Sequence, residues 1–110
     1  MKQYDAHVSF LLRQYAVQAF EREIAPALND LSASFDRFAN KDLTTSELVH
    51  RIHRFEVGIS ASLTAKYNGP NADFIVASAI VEGVLAESDV EADVLKQIID
   101  IIDFIRDRMA

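Results

Sequence analysis

TTSELVHRIHRFEVGISASLTAKY, residues 44–67, is the stretch that predicts the fold of this chain. Thr44 and Glu47 match the capping box that opens an α-helix, in which each side chain accepts a hydrogen bond from the other residue's backbone N–H. Five apolar residues then recur at helical spacing and mark one buried face: Leu48, Ile52, Phe55, Ile59 and Leu63. The turn NGPN at residues 68–71 ends the pattern. We therefore expect one capped amphipathic helix that runs to about Tyr67.

The residues before this helix form a second long amphipathic pattern. Its apolar positions recur every three or four residues: Val8, Leu12, Tyr15, Ala19, Ile24, Leu28, Leu31, Phe35 and Phe38. From Ile24 onward the spacing is heptad-like, which favours packing against another long helix. Pro26 lies inside this run, so we expect a kink or break at residues 23–25, or a second helix that begins at Pro26. The pattern ends at Asn40, before a polar connector at residues 40–45.

Two further helices are predicted after the turn. The first begins at Asn71 or Ala72 and is apolar nearly all round as far as Leu85, which is typical of a helix surrounded by protein. Gly83 is a candidate for its end or for a close approach of another segment. Ser88 and Glu91 form a second capping-box pattern, which predicts the start of the last helix. Its apolar positions are Val94 or Leu95, Ile98, Ile102, Ile105 and Met109.

Composition supports one all-α domain over residues 1–110, a four-to-five-helix bundle-like fold with a long first helix. Half of the 110 residues are hydrophobic, only three are glycine and two are proline, and none is cysteine. The longest apolar stretch, residues 74–86, is too short to cross a membrane. The amino-terminal residues have no sustained apolar core, so we expect no secretory signal and a cytoplasmic protein. Seventeen acids against eleven bases give a net charge of −6, which argues against a nucleic-acid partner.

The middle helix also carries an uncharged strip opposite its apolar face. We expect this strip to form the interface of a two-fold homodimer, through Val57, Ser60, Ala61 and Thr64. A solvated helix face normally carries Lys and Glu, so an uncharged face suggests a covered one. The alternative is a monomer with a weakly polar surface strip.

The sequence contains little that supports catalysis. It has no phosphate-binding glycine loop, no H-E-x-x-H pattern and no cysteine pair, so we expect no enzyme activity, no cofactor and no metal. Glu47 and His50 match an E-x-x-H pattern, but Glu47 is already explained by the capping box. His53 on a helical bundle raises the alternative of a histidine phosphotransfer domain. Against it, Glu56 stands where that class of domain has a lysine.

Four residues of the middle helix are candidates for binding a partner protein: His50, Arg51, His53 and Arg54. The two arginines offer bidentate hydrogen bonds to carboxylates, which favours an acidic protein surface over the many phosphates of a nucleic acid. The sequence alone is equally compatible with a helical binding module of unknown specificity.

Three short motifs resemble those of the fluorescence recovery protein family of cyanobacteria. They are QAFEREI at residues 18–24, His53-x-Phe55 followed by Lys66-Tyr67-Asn68, and FIVA at residues 74–77 followed by Glu82-Gly83. Proteins of this family are non-enzymatic helical dimers that bind the photoactivated orange carotenoid protein, a carotenoid-binding photoreceptor, and speed its return to the resting state.

The resemblance therefore implies a regulatory role in photoprotection. Of the family's partner-binding residues, only His53 carries over to this chain. His50 stands where the family has Trp, Arg54 where it has Asp, and Ser60 where it has a functional Arg.

Overall fold

The computed structural model describes residues 2–109, and these residues form helices and no strand. Five α-helices follow in chain order: α1 (Ala6–Ala39), α2 (Thr45–Phe55), α3 (Ala61–Tyr67), α4 (Ala72–Val81) and α5 (Ala92–Met109). A π-helical turn (Glu56–Ser60) joins α2 to α3 without a break, and a 3₁₀ turn (Glu87–Asp89) precedes α5. The predicted all-α fold with a long first helix is confirmed.

The first helix runs uninterrupted past its proline. The Asp5 carboxylate caps α1 by accepting a hydrogen bond from the Val8 amide at 2.8 Å, and the helix then continues for 34 residues with Pro26 inside. The expected break before Pro26, and the alternative of a new helix starting there, are both wrong. Proline costs a helix interior about 3 kcal/mol. Burial of Ile24 and partial burial of Ala27, on either side of Pro26, stabilise the continuous helix.

The middle helix confirms the first predicted capping box and corrects one of its apolar positions. The Thr44 hydroxyl accepts from the Glu47 amide at 3.1 Å, and the Glu47 carboxylate accepts from the Thr44 amide at 3.3 Å. Leu48 and Leu63 are buried as predicted, whereas Ile59 is exposed. A π turn inserts one extra residue into the helix. Ile59 lies within this turn, where ordinary α-helical spacing does not hold, while Leu63 beyond it is buried.

The segment between α4 and α5 differs from its prediction at the second capping box. Gly83 ends α4 in a left-handed conformation (φ 82°), as its position suggested. Ser88 and Glu91 form no capping box. The Asp89 carboxylate instead accepts from the Ala86 amide at 2.8 Å, and the Glu91 amide donates to the Tyr15 hydroxyl at 3.1 Å. Long-range contact with Tyr15 thus replaces the local cap.

The main hydrophobic core lies at one end of the molecule, which we call the head. It comprises α1 up to Glu23, α4, the 3₁₀ turn and α5, with α4 packed between α1 and α5. The largest fully buried side chains are Leu12, Val76, Leu85, Val94, Ile98 and Ile102. Phe74 remains half exposed, so the described residues do not surround α4 on every side as expected.

The rest of α1 projects beyond the head together with α2. We call residues 24–60 the arm: the second half of α1, the connector, α2 and the π turn. The molecule measures 53 × 31 × 23 Å and has a radius of gyration of 17.7 Å, against about 13 Å for a compact domain of this length.

In the described part of the chain, no helix has the length and apolar character that crossing a membrane requires.

Two groups of charged side chains lie close to the point where the arm leaves the head. The Lys66 ammonium lies 2.9 Å from a Glu23 oxygen and 2.8 Å from a Glu82 oxygen, which links α3 to α1 and to the end of α4. The Arg22 guanidinium donates to the Asp89 carboxylate at 2.7 and 3.2 Å. These pairs connect Arg22 and Glu23 of α1 to the 3₁₀ turn and to α3.

Candidate functional site

The candidate site is built on the capped start of α2. The capping box orients the first turn of α2, and the hydrogen bonds from Thr44, side chain first and then backbone, lower the pKa of Glu47. Arg51 and Arg37 contribute a smaller electrostatic effect in the same direction. The Glu47 carboxylate is therefore occupied by its hydrogen bond to the Thr44 amide at the start of α2. Among residues 2–109, no group of three or more His, Asp or Glu side chains could hold a metal ion.

The four predicted partner-binding residues all lie exposed on α2. The structure separates them into two pairs. Arg51 and Arg54 line a groove between α2 and α1, whereas His50 and His53 are outside its lining. The predicted cationic surface is therefore two neighbouring surfaces, only one of which is concave.

Arg51 is positioned by a buried serine of α1. Its guanidinium donates to the Ser34 hydroxyl at 3.2 Å, and that hydroxyl donates in turn to the Asp30 backbone carbonyl at 3.2 Å. Ser34 is only 4% exposed although its side chain is polar. A buried hydroxyl with partners on both sides holds the arginine against the wall of the groove.

The groove between the two arm helices has a volume of about 620 Å³. Its α1 wall consists of Ala27, Asp30, Leu31 and Ser34, and its α2 and π-turn wall consists of Arg51, Arg54, Phe55, Val57, Gly58 and Ile59. Sequence reasoning missed Asp30 and Ser34. The available signal was the position of Ser34, which is three residues after the apolar Leu31 and therefore on the same side of α1.

The four residues predicted for a dimer interface lie at different places along the middle helix. Val57 lines the arm groove. Thr64 lines a smaller pocket of about 250 Å³, together with Val17, Phe20 and Tyr67. Ser60 is half-buried and Ala61 is exposed between the two.

A second set of exposed apolar residues lies elsewhere on the arm. Leu28 and Phe35 on α1 are 46% and 47% exposed, and Val49 on α2 is 60% exposed. None of the three lines the groove. The heptad pattern predicted Leu28 and Phe35 to be covered by another long helix, but α2 covers only part of that apolar surface. No signal in the sequence indicated this excess, because heptad spacing marks a narrow stripe that one partner helix can cover.

Comparison of the chain with protein-family models, with curated proteins and with solved structures gives no match.

Proposed function

We propose that this chain is a non-enzymatic regulatory protein, which acts as a homodimer and binds one conformational state of a protein partner through its arm. The arm is the observation that carries the proposal. It projects from the head and combines unpaired arginines with apolar side chains that the described chain leaves half exposed. Exposed apolar surface next to charged groups is typical of protein-protein contact sites.

The area of the chain supports a dimer. A compact monomer of 12.3 kDa exposes about 6,100 Å², whereas this chain exposes 7269 Å². The excess of about 1,200 Å² exceeds the roughly 800 Å² that each partner buries in a standard interface. Pairing two arms, each of two helices, would form a four-helix assembly about a two-fold axis.

We place the centre of this dimer at Leu28, Phe35 and Val49. Leu28 and Phe35 are seven residues apart and therefore share one face of α1. The uncharged strip that the sequence suggested, from Val57 to Thr64, is the competing location. Single replacements by glutamate at Phe35 and at Val57 distinguish the two, since only the one at the real interface separates the copies.

The partner is proposed from the local charge around α2 and from the family resemblance. The arm as a whole contains four Lys or Arg and five Asp or Glu, so its basic character is confined to residues 37–54. Residues 37–54 contain four Lys or Arg, two Asp or Glu and two His, in a chain whose net charge is −6. This locally basic surface favours an acidic partner surface. The resemblance to fluorescence recovery proteins suggests the photoactivated orange carotenoid protein, or a different partner of similar behaviour. Binding would shift the partner's equilibrium only by the ratio of affinities for its two states.

The proposed regulation is tested by the dark recovery of a photoconverted orange carotenoid protein. We expect a several-fold faster return to the resting form when the chain is added, and a smaller effect with Arg54→Ala or His53→Ala. Phe10→Ala, in the head, serves as the control and should accelerate recovery like the unmodified chain. An unchanged recovery rate would exclude this partner, while light scattering tests the dimer separately.

The exposure of His53 keeps histidine phosphotransfer as a second candidate function. A phosphoryl acceptor must be reachable by the donor, and His53 is. Incubation with a phosphodonor kinase, followed by detection of acid-labile label, tests this candidate. Label that disappears in His53→Ala would support phosphotransfer over regulation by binding.

A further inference from the structure

We infer that the arm groove binds an amphipathic helix of the partner protein, with acidic residues along the helix edge that meets α2 and a basic residue along the edge that meets α1. This inference rests on the proposed function and specifies the chemistry of the partner segment. It depends on the shape of the groove, on the charges of its two walls and on its place relative to the proposed dimer contact.

The shape of the groove suits a short helical contact. Ala27 to Ser34 on one wall and Arg51 to Ile59 on the other each span about 11 Å at 1.5 Å per residue, which corresponds to about two helical turns. Leu31, Phe55 and Ile59 supply apolar surface between these ends. A groove of this kind recognises apolar residues spaced three, four and seven positions apart on an incoming helix.

The charges of the two walls are opposite. Arg51 and Arg54 are three residues apart on the α2 wall, and no carboxylate among residues 2–109 lies within 4.0 Å of either guanidinium. Of the five N–H donors of Arg51, the bond to Ser34 uses one. The α1 wall instead presents Asp30, which is exposed. Carboxylates on the incoming helix are therefore favoured along α2 and disfavoured along α1.

The groove stays accessible when the arms pair as proposed. Leu28 and Phe35 each follow a groove-lining position, Ala27 and Ser34, by one residue. One residue corresponds to about 100° around an α-helix. The proposed dimer face and the groove therefore point in clearly different directions from α1, so one surface can hold the second copy while the other holds the partner.

Gly58 provides a way to fill the groove without disturbing the arm. It lies in the π turn, lines the groove and has an ordinary helical φ, and a Cβ added there would meet no atom within 4 Å. Gly58→Leu therefore places a side chain in open space at the groove wall. Gly58→Ala is the matched control, because it adds only the Cβ.

The test uses a fluorescently labelled helical peptide of about four turns as probe. The peptide carries leucines along one face, glutamates on one edge of that face and lysines on the other, and its binding to the full chain is followed by fluorescence anisotropy. In a second peptide glutamines replace the glutamates, since a peptide with exchanged edges could bind in the reverse chain direction with its glutamates again along α2. We expect the first peptide to bind at least about tenfold more tightly than the second at low salt, with the difference shrinking as salt is added.

Variants of the chain identify the surface that binds. We expect Arg51→Ala and Arg54→Ala each to weaken binding of the first peptide about two- to fivefold, the range for exposed ion pairs. Gly58→Leu should weaken it by at least about tenfold, while Gly58→Ala should bind like the unmodified chain and both glycine variants should keep the same oligomeric mass.

Three results would overturn the inference. They are equal binding of the two peptides, binding unaffected by Gly58→Leu, and conversion of a dimer to a monomer by Gly58→Leu, which would assign the groove to the second copy. The proposed function has independent readouts in carotenoid-protein recovery and in oligomeric mass. Failure of the groove inference is therefore distinguishable from failure of the proposed function.

Discussion

Replacement of Phe35 tests the dimer on which the proposed function rests. Burying a whole Phe side chain contributes about 1.5–3 kcal/mol. Because Phe35 is 47% exposed in the single chain, covering the rest contributes about half of that in each copy, or about 1.5–3 kcal/mol in a two-fold dimer. Phe35→Ala should therefore raise the dissociation constant of the dimer about tenfold to a hundredfold. Phe35→Glu also buries an unpaired carboxylate, which costs several kcal/mol more.

Light scattering and analytical ultracentrifugation over a micromolar concentration range measure this effect. We expect the unmodified chain to have twice the 12.3 kDa chain mass and Phe35→Glu to have the chain mass, with equal helix content by circular dichroism. Phe10→Glu is the matched control, since Phe10 lies on the same helix, in the head, and is 54% exposed. An unmodified chain that is monomeric throughout, or a Phe35→Glu variant that remains dimeric, would refute the reasoning.

Three further predictions concern stability. Thr44→Ala removes the cap of α2 and should lower the urea unfolding free energy by about 1 kcal/mol, whereas Thr44→Ser should retain it. Pro26→Ala restores a helix amide at an exposed position and should raise that free energy by about 2 kcal/mol, and any decrease would show that proline is required there. The hydrogen bond from Arg22, and then that from the Ala86 amide, lower the pKa of Asp89, so its stabilising contribution is present above about pH 4 and lost as the pH falls through the lowered pKa. Thermal melts from neutral to acidic pH should therefore fall more steeply for the unmodified chain than for Asp89→Asn, and parallel curves would contradict this.

The helices themselves could be predicted from the sequence. The Thr44–Glu47 capping box and Gly83 act through hydrogen bonds and backbone conformation within a few residues, and both were identified correctly. The Ser88–Glu91 box was predicted by the same local rule and was wrong, because the Glu91 amide donates to Tyr15, which is distant in the sequence. Local rules fail where a long-range contact satisfies the same backbone group.

The candidate site was only partly predictable. The sequence identified Arg51 and Arg54 as a basic pair on an amphipathic helix, but it did not separate them from His50 and His53. That separation depends on which side of α2 faces α1. Ser34, which holds Arg51 in place, lies 17 residues away in the chain.

The sequence by itself determined the all-helical class, the long first helix and the capped start of α2, because helical periodicity and capping depend on residues within about one turn of each other. Only the tertiary structure decided which apolar residues are covered. α1 carries more apolar surface than α2 can cover, and the position of α2 over it leaves Leu28 and Phe35 exposed while forming the groove beside Ala27 and Ser34. The π turn at Glu56–Ser60 was likewise not indicated by any local pattern in the sequence. Whether an apolar side chain is buried depends on how two helices pack, and the periodicity of one helix does not determine that packing.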